Sequence, residues 1–192
     1  GAVDGSGRSI SLSSDGTRVA IGAPGNDDNG TNVGHVRVYQ YANNTWTKLG
    51  ADIDGEGAMD LSGTSVSISS DGTKVAIGAI ENDGNGPNSG HVRVYQYTNN
   101  TWTQLGADID GNSQYDESGS SVSLSSDGTK VAIGAPASAI GGAVRLFEYA
   151  NNSWTQLGND IGAIRAGDRF GSSVSLSGDG TRVVIGGPFN DD

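Results

Sequence analysis

Asp52, Asp54 and Glu56, with Gly57 behind them, place carboxylates at the first, third and fifth positions of a loop and glycine at the sixth. That order opens a calcium loop, in which oxygen ligands alternate along the chain and the glycine permits the sharp turn. Asp108, Asp110 and Asn112 repeat it, whereas the third copy carries Gly162 and Ile164 at the second and third of those places. Position twelve, where a calcium loop has a bidentate Glu, holds Gly63 and Gly119. The chemistry expected of Asp52, Asp54, Glu56, Asp108, Asp110 and Asn112 is weak Ca2+ binding, weighed against a solvated polar turn. Asp27-Asp28-Asn29-Gly30 and Asp83-Gly84-Asn85-Gly86 offer oxygens of the same kind.

Other constellations are poorer. His35 and His91 occupy equivalent places in successive repeats, with Ala143 in the third, and are expected at strand edges. A glycosidase needs two carboxylates in one pocket, and the sequence assigns no such pair. The absence of cysteine excludes disulfides, thiolate zinc sites and a cysteine nucleophile. No catalytic role is expected for any residue.

The elements that must position these loops follow from repetition. Gly7 to Gly22, Gly63 to Gly78, Gly119 to Gly134 and Gly171 to Gly186 all read G-x-S-[VI]-S-[LI]-S-x-D-G-T-[RK]-V-[AV]-I-G. A self-similar period of this length marks a solenoid, propeller or array, whose units cannot bury their apolar faces alone. Within the first unit, Ser9 to Ser13 alternates serine with apolar residues as strand a, and Asp15-Gly16-Thr17 turns the chain into strand b, Arg18 to Ala23. His35 to Tyr41 alternates again as strand c, and Asn43-Asn44 turns it into strand d, Thr45 to Leu49. Four antiparallel strands in about 50 residues is the pattern of a β-propeller blade.

The chain is therefore expected to be all-β: about three and a half repeats of four-stranded antiparallel blades, forming an incomplete ring. The blades run over about 7–62, 63–118 and 119–170, with a half blade at 171–192. Asp15, Asp71 and Asp127 are spaced by 56 residues and Asp179 by 52, and the missing four fall between strands b and c. Because the chain opens inside a d-to-a connection at Ala2 to Gly5 and stops after a strand b, closure of the ring is expected from a longer chain or from association of copies.

Phe170-Gly171 with Gly186-Gly187-Pro188, and Gly22-Ala23-Pro24 and Gly134-Ala135-Pro136, resemble the FG-GAP repeats of integrin-α-type β-propellers. The S-x-D-G-T-[RK]-V-[AV] hairpin is also similar to that of WD40-like and TolB-like propellers. The FG-GAP resemblance implies Ca2+ in a D-x-[DN]-x-D-G-x-x-D loop between strands a and b. Here that loop has Ser11, Ser13, Asp15, Gly16 and Val19. The family's metal site is not carried over, and Asp15, Asp71, Asp127 and Asp179 read as turn residues.

Antiparallel strands put the b-to-c and d-to-a connections on one face, which gathers Asp27, Asp28, Glu81, Asp83, Asp52, Asp54, Glu56, Asp108, Asp110, Asp116, Glu117 and Asp160. The opposite face carries three N-glycosylation sequons, at Asn43, Asn99 and Asn151; a fourth lies at Asn29. Net charge is −11 and the sequence pI about 4.3, which disfavours nucleic acid and anionic membrane. No apolar run approaches the roughly 18 residues a membrane span needs. Trp46, Trp102 and Trp154 are expected to pack between blades, and Arg37, Arg93 and Arg145 to bond neighbouring blades. The function expected is a noncatalytic extracellular or cell-surface interaction module, presenting an acidic loop face to a protein, glycan or cation. The alternative is an auxiliary or catalytic propeller of a carbohydrate-active enzyme.

Overall fold

A computed structural model describes residues 4–139, 141–163, 165 and 167–189; Ala2, Val3, Ile164 and the end of the 171–192 half repeat lie outside the described residues. The alternation of serine with Val, Ile or Leu builds the first strand of every repeat: β1 (Ser9–Leu12) in the first blade. β2 (Arg18–Ala23), β3 (His35–Ala42) and β4 (Thr45–Lys48) follow in an antiparallel sheet of order β1-β2-β3-β4. A two-residue strand, β5 (Ile53–Asp54), returns to the start of β3, with Val36 opposite Ile53 and His35 opposite Asp54.

The second blade repeats this with β6 (Ser65–Ile68), β7 (Lys74–Ala79), β8 (His91–Thr98), β9 (Thr101–Gln104) and β10 (Ile109–Asp110). The third has β11 (Ser121–Leu124), β12 (Lys130–Ala135), β13 (Ala143–Ala150), β14 (Ser153–Gln156) and β15 (Ile161–Gly162). β16 (Ser173–Leu176) and β17 (Val183–Gly186) form a two-stranded sheet in the fourth repeat. The first strands of successive sheets adjoin, β1 beside β6, β6 beside β11 and β11 beside β16. Among the described residues the sheets do not close on themselves.

Both faces of β7 and β12 are apolar because each of these strands lies between two blades. Ala20, Val36, Val38 and Ile53 of the first blade pack on Val66, Ile68, Val75 and Ile77 of the second, with Leu49, Tyr95 and Trp102 at the margin. Ala76, Val92, Val94 and Ile109 pack likewise on Leu124, Val131 and Ile133. Small residues on one face admit large ones from the next. Each large side chain so buried contributes roughly 1.5–3 kcal/mol. Among the described residues the same face of the first blade has no neighbour: Val19 and Ile21 are half-buried where Val75 is fully buried and Ile77 nearly so.

The repeated residues are the joints between blades. Ser9, Ser65 and Ser121 donate to the carbonyls of Gly63, Gly119 and Gly171, at 2.7, 2.6 and 2.8 Å. Ser11, Ser67 and Ser123 accept from the amides of Ile68, Leu124 and Leu176. These hydroxyls are turned to the following blade. A Cβ on Gly22 would meet the Gly63 carbonyl oxygen at 2.1 Å, and Gly134 would meet that of Gly171 at 2.0 Å. Only glycine allows that approach. Trp102 and Trp154 donate to the carbonyls of Leu49 and Leu105, so the tryptophans also act between blades.

Candidate functional site

The acidic end of the molecule forms where strands b and c and the d-to-a connection meet. Ala23 pairs with His35, and His35 with Asp54, so the b-to-c loop and the connection leave the sheet at the same edge. Backbone bonds knit them together: Met59 donates to Thr31, Leu61 to Asn32 and Ser62 to Val33. Asp27 Oδ1 accepts the Asn32 amide at 2.7 Å, and Asp83 Oδ1 the Asn88 amide at 2.8 Å, which shapes both long loops.

Asp52 lies in the chain between β4 and β5, where Gly50 adopts φ 78° beneath Trp102. Its carboxylate takes Arg37 Nε and Nη2 at 3.0 and 2.9 Å and Lys48 Nζ at 2.8 Å. The Arg37 hydrogen bond lowers its pKa to about 2, with Lys48 assisting and burial opposing. Asp108 receives a two-pronged bond from Arg93 at 3.0 Å on each oxygen, and Gln104 at 2.6 Å. Glu56 pairs with Arg93 of the second blade. Asn112 accepts from Arg145 Nη1 at 2.7 Å and donates to Asp160 at 3.2 Å. Asp54 and Asp110 are exposed on β5 and β10.

The six residues read as two calcium loops are thus not gathered around one point within each loop. Asp52 and Glu56 bind different arginines: Asp52 and Asp108 are held within their own blades, whereas Glu56 crosses the junction to Arg93. What the structure does bring together is Glu56, His91 and Asp108, with one potential ligand atom from each within 4.8 Å of the others. His91 and His35 open β8 and β3 at strand edges, and both are buried. Burial lowers the pKa of both. Arg93 reaches the preceding connection through Glu56, and Arg145 does so through the Asp110 carbonyl, Asn112 and Ser118. Arg37 remains within its own blade on Asp52.

Asp60 and Asp168 are not picked out by the sequence reading, and Asp116, expected on the acidic face, is buried. Asp60, Asp116 and Asp168 are buried and accept the amides of Gly57, Ser113 and Arg165. Asn82 also donates to Asp60, at 3.0 Å, tying the entry of the second blade to its b-to-c loop. The signal was present: an Asp stands three residues before the first glycine of each repeat, from Asp4 onward.

Asn43-Asn44, Asn99-Asn100 and Asn151-Asn152 have φ between 51° and 62° at both residues. These are two-residue hairpin turns with positive φ at both central positions, a conformation Asn tolerates and β-branched residues do not. Asn43, Asn99 and Asn151 are exposed at the end opposite the acids, whereas exposed Asn29 lies among them in a b-to-c loop. Asp15, Asp71, Asp127 and Asp179 each hold a turn: Asp15 Oδ1 accepts the Thr17 amide at 2.9 Å and the Ser13 hydroxyl at 2.7 Å. The backbone amide of Thr17, then Ser13 and the Thr17 hydroxyl, lower the Asp15 pKa. A depression of about 400 Å3 is lined by Pro136, Ser138, Arg169 and Phe189 among others, with no carboxylate among the described residues of its wall.

The FG-GAP repeat family profile matches residues 47–95 and 164–192. No curated protein matches the chain. Among solved structures, a Bacteroides uniformis protein provisionally named as a 6-phosphogluconolactonase is 14% identical, with a TM-score of 0.61 over 92% of this chain and 46% of its own. A Bacteroides fragilis protein of the same provisional name is 12% identical, with a TM-score of 0.58 over 92% of this chain and 40% of its own. A provisionally named TolB from Agrobacterium tumefaciens is 14% identical, with a TM-score of 0.53 over 92% and 52%. The chain spans about half the length of these proteins, and likeness at such identity concerns the fold alone. With its repeat, its antiparallel blades and these matches, the chain carries FG-GAP repeats over residues 47–95 and 164–192 in a fold of the β-propeller type.

Proposed function

We propose that the chain is a noncatalytic structural and interaction module of an extracellular or cell-surface protein, presenting its acidic end to a basic protein surface, a glycan or bound cations. The observation that carries this reading is the sorting of side chains. The repeated Ser and Gly residues, with Trp102 and Trp154, act between blades, while Asp27, Asp28, Asp54, Asp83 and Asp110 stand exposed together at one end. Four exposed sequons support the extracellular placement and glycosylation. Among the described residues, the carboxyl shifts that are resolved run downward, whereas an acid catalyst needs an upward one. No described helix is long and apolar enough to cross a membrane, and the negative charge disfavours nucleic acid.

A further blade is the second partner of this reading. Val19, Ile21, Tyr39 and Trp46 line an apolar groove of about 280 Å3 on the free face of the first blade. The matching residues of the second blade, Val75, Ile77, Tyr95 and Trp102, are covered by the blade before them. The occupant that fits is a blade of the same repeat, from the same or another chain.

An oligolysine-coated surface tests the acidic face. Retention that weakens steeply as salt rises, together with no turnover of glycosides or sugar lactones, is the expected pattern. Salt-independent retention or saturable turnover contradicts the proposal.

A further inference from the structure

His91 is 3% exposed, and its Nδ1 makes no hydrogen bond among the described residues. A buried imidazole nitrogen is ordinarily satisfied; His35 Nδ1 is open too, but only His91 has two carboxylates beside it. It faces Asp108, whose Oδ2 is 3.7 Å away, too far for a hydrogen bond. The Glu56 carboxylate, carried by the connection that leaves the first blade, completes a group whose three ligand atoms lie within 4.8 Å of one another.

The geometry points to an interblade site for a divalent transition ion of the zinc class, held by Glu56, His91 Nδ1 and Asp108. One imidazole nitrogen and two carboxylates suit Zn2+, which takes nitrogen at about 2.0–2.1 Å and oxygen at about 2.0–2.2 Å and completes four ligands with water. Ca2+ needs six to eight oxygens, which this group does not supply. The two carboxylates balance the charge of such an ion.

Arg93 is the resident cation of the group, bonded to both Glu56 and Asp108. The ion takes its place between them, and the next junction shows where the arginine goes. Arg145, the equivalent residue, donates to the Asp110 carbonyl at 3.1 Å, to Asn112 Oδ1 at 2.7 Å and to Ser118 Oγ at 2.9 Å. The corresponding acceptors beside Arg93 are the Asp54 carbonyl, Glu56 and Ser62. A change of arginine rotamer therefore frees Asp108 while leaving the guanidinium bonded. The next junction cannot bind the ion itself, since Asn112 and Ala143 replace Glu56 and His91. Among the described residues the three donors meet only at the first junction.

Calorimetric titration of the whole chain with Zn2+, and visible absorption with Co2+ as a spectroscopic substitute, test the site. The expected result is one ion per chain. His91→Ala and Glu56→Asn copy residues that the third blade and its junction already carry, so both variants are compatible with the fold. Each should weaken binding by at least the roughly 10–100-fold seen even for outer-shell substitutions. Arg93→Met, which removes the competing cation, should bind more tightly. His35→Ala should bind as the parent does. No Zn2+ binding by the parent, equal binding by His91→Ala, equal competition by Ca2+, or loss of binding in Arg93→Met overturns the inference.

Discussion

The carbonyl oxygen of Gly119 reaches so far over Gly78 that a Cβ at Gly78 would meet it at 2.1 Å. The first glycine of one repeat thus lies against the last glycine of the repeat before it, and the two are brought together only when neighbouring blades dock. Gly186 has the same place in its repeat, yet a Cβ there would be close only to the Ser173 hydroxyl. Gly78→Ala should therefore destabilise the fold by more than about 3 kcal/mol, whereas Gly186→Ala should stay within about 1 kcal/mol. Urea unfolding of the two variants checks this, and similar losses would show that the contact is not what requires glycine.

The same junction sets the roles of the tryptophans. Trp102 Nε1 donates to the Leu49 carbonyl at 2.8 Å, while Trp46, on the free face, is 46% exposed. Trp102→Phe should cost about 1–3 kcal/mol by orphaning that carbonyl. Trp46→Phe should remain within about 0.5 kcal/mol. Thermal unfolding under one set of conditions compares them.

At the hairpins the backbone decides. Asn99 and Asn100 have φ of 51° and 62°. Asn99→Gly should be close to neutral and Asn99→Ala should cost about 1 kcal/mol, because only alanine is strained there. Both substitutions remove the sequon, so a stability difference between them in protein from a glycosylating host reports conformation and not the glycan.

Asp52 links stability to acid. Its folded pKa of about 2 lies below the ordinary value of 3.8, chiefly through the Arg37 hydrogen bond. A carboxyl lowered on folding stabilises the fold above its unfolded pKa, and that contribution is lost as pH falls through the folded value. Asp52→Asn should be less stable than the parent at about pH 7, and the two should converge as pH falls from about 4 to 2. A constant difference across that window contradicts the linkage.

Much of this architecture is legible in the residues. Strand b was bounded at Arg18 and Ala23, as found, because Val and Ile lie between a turn signal and Gly-Ala-Pro. Strand c was read one residue short of Ala42. β5 was not read at all, since two residues carry no periodicity and Ile53–Asp54 pairs only because the chain between β4 and β5 bulges out and returns to β3. The site is less legible for a related reason. Alternating Asp and Glu suggested ligands within one loop, but Arg93 comes from the following blade and draws Glu56 across the junction. Sequence spacing describes a loop against itself, whereas Glu56 is placed by packing between repeats. His91 illustrates the limit: its position at a strand edge was apparent, but its burial beside Glu56 and Asp108 depends on docking.

The central claim is that the repeats hold the blades together while the exposed acids bind. It is tested most directly by replacing Asp27, Asp28, Asp54, Asp83 and Asp110 together with Asn and measuring oligolysine binding beside the thermal midpoint. Asn retains an acceptor for the Asn32 and Asn88 amides, so the loops keep their turns. The predicted result is a midpoint within a few degrees of the parent and binding lowered by at least about tenfold through the lost surface charge. Undiminished binding, or a collapse of the fold, would contradict the claim.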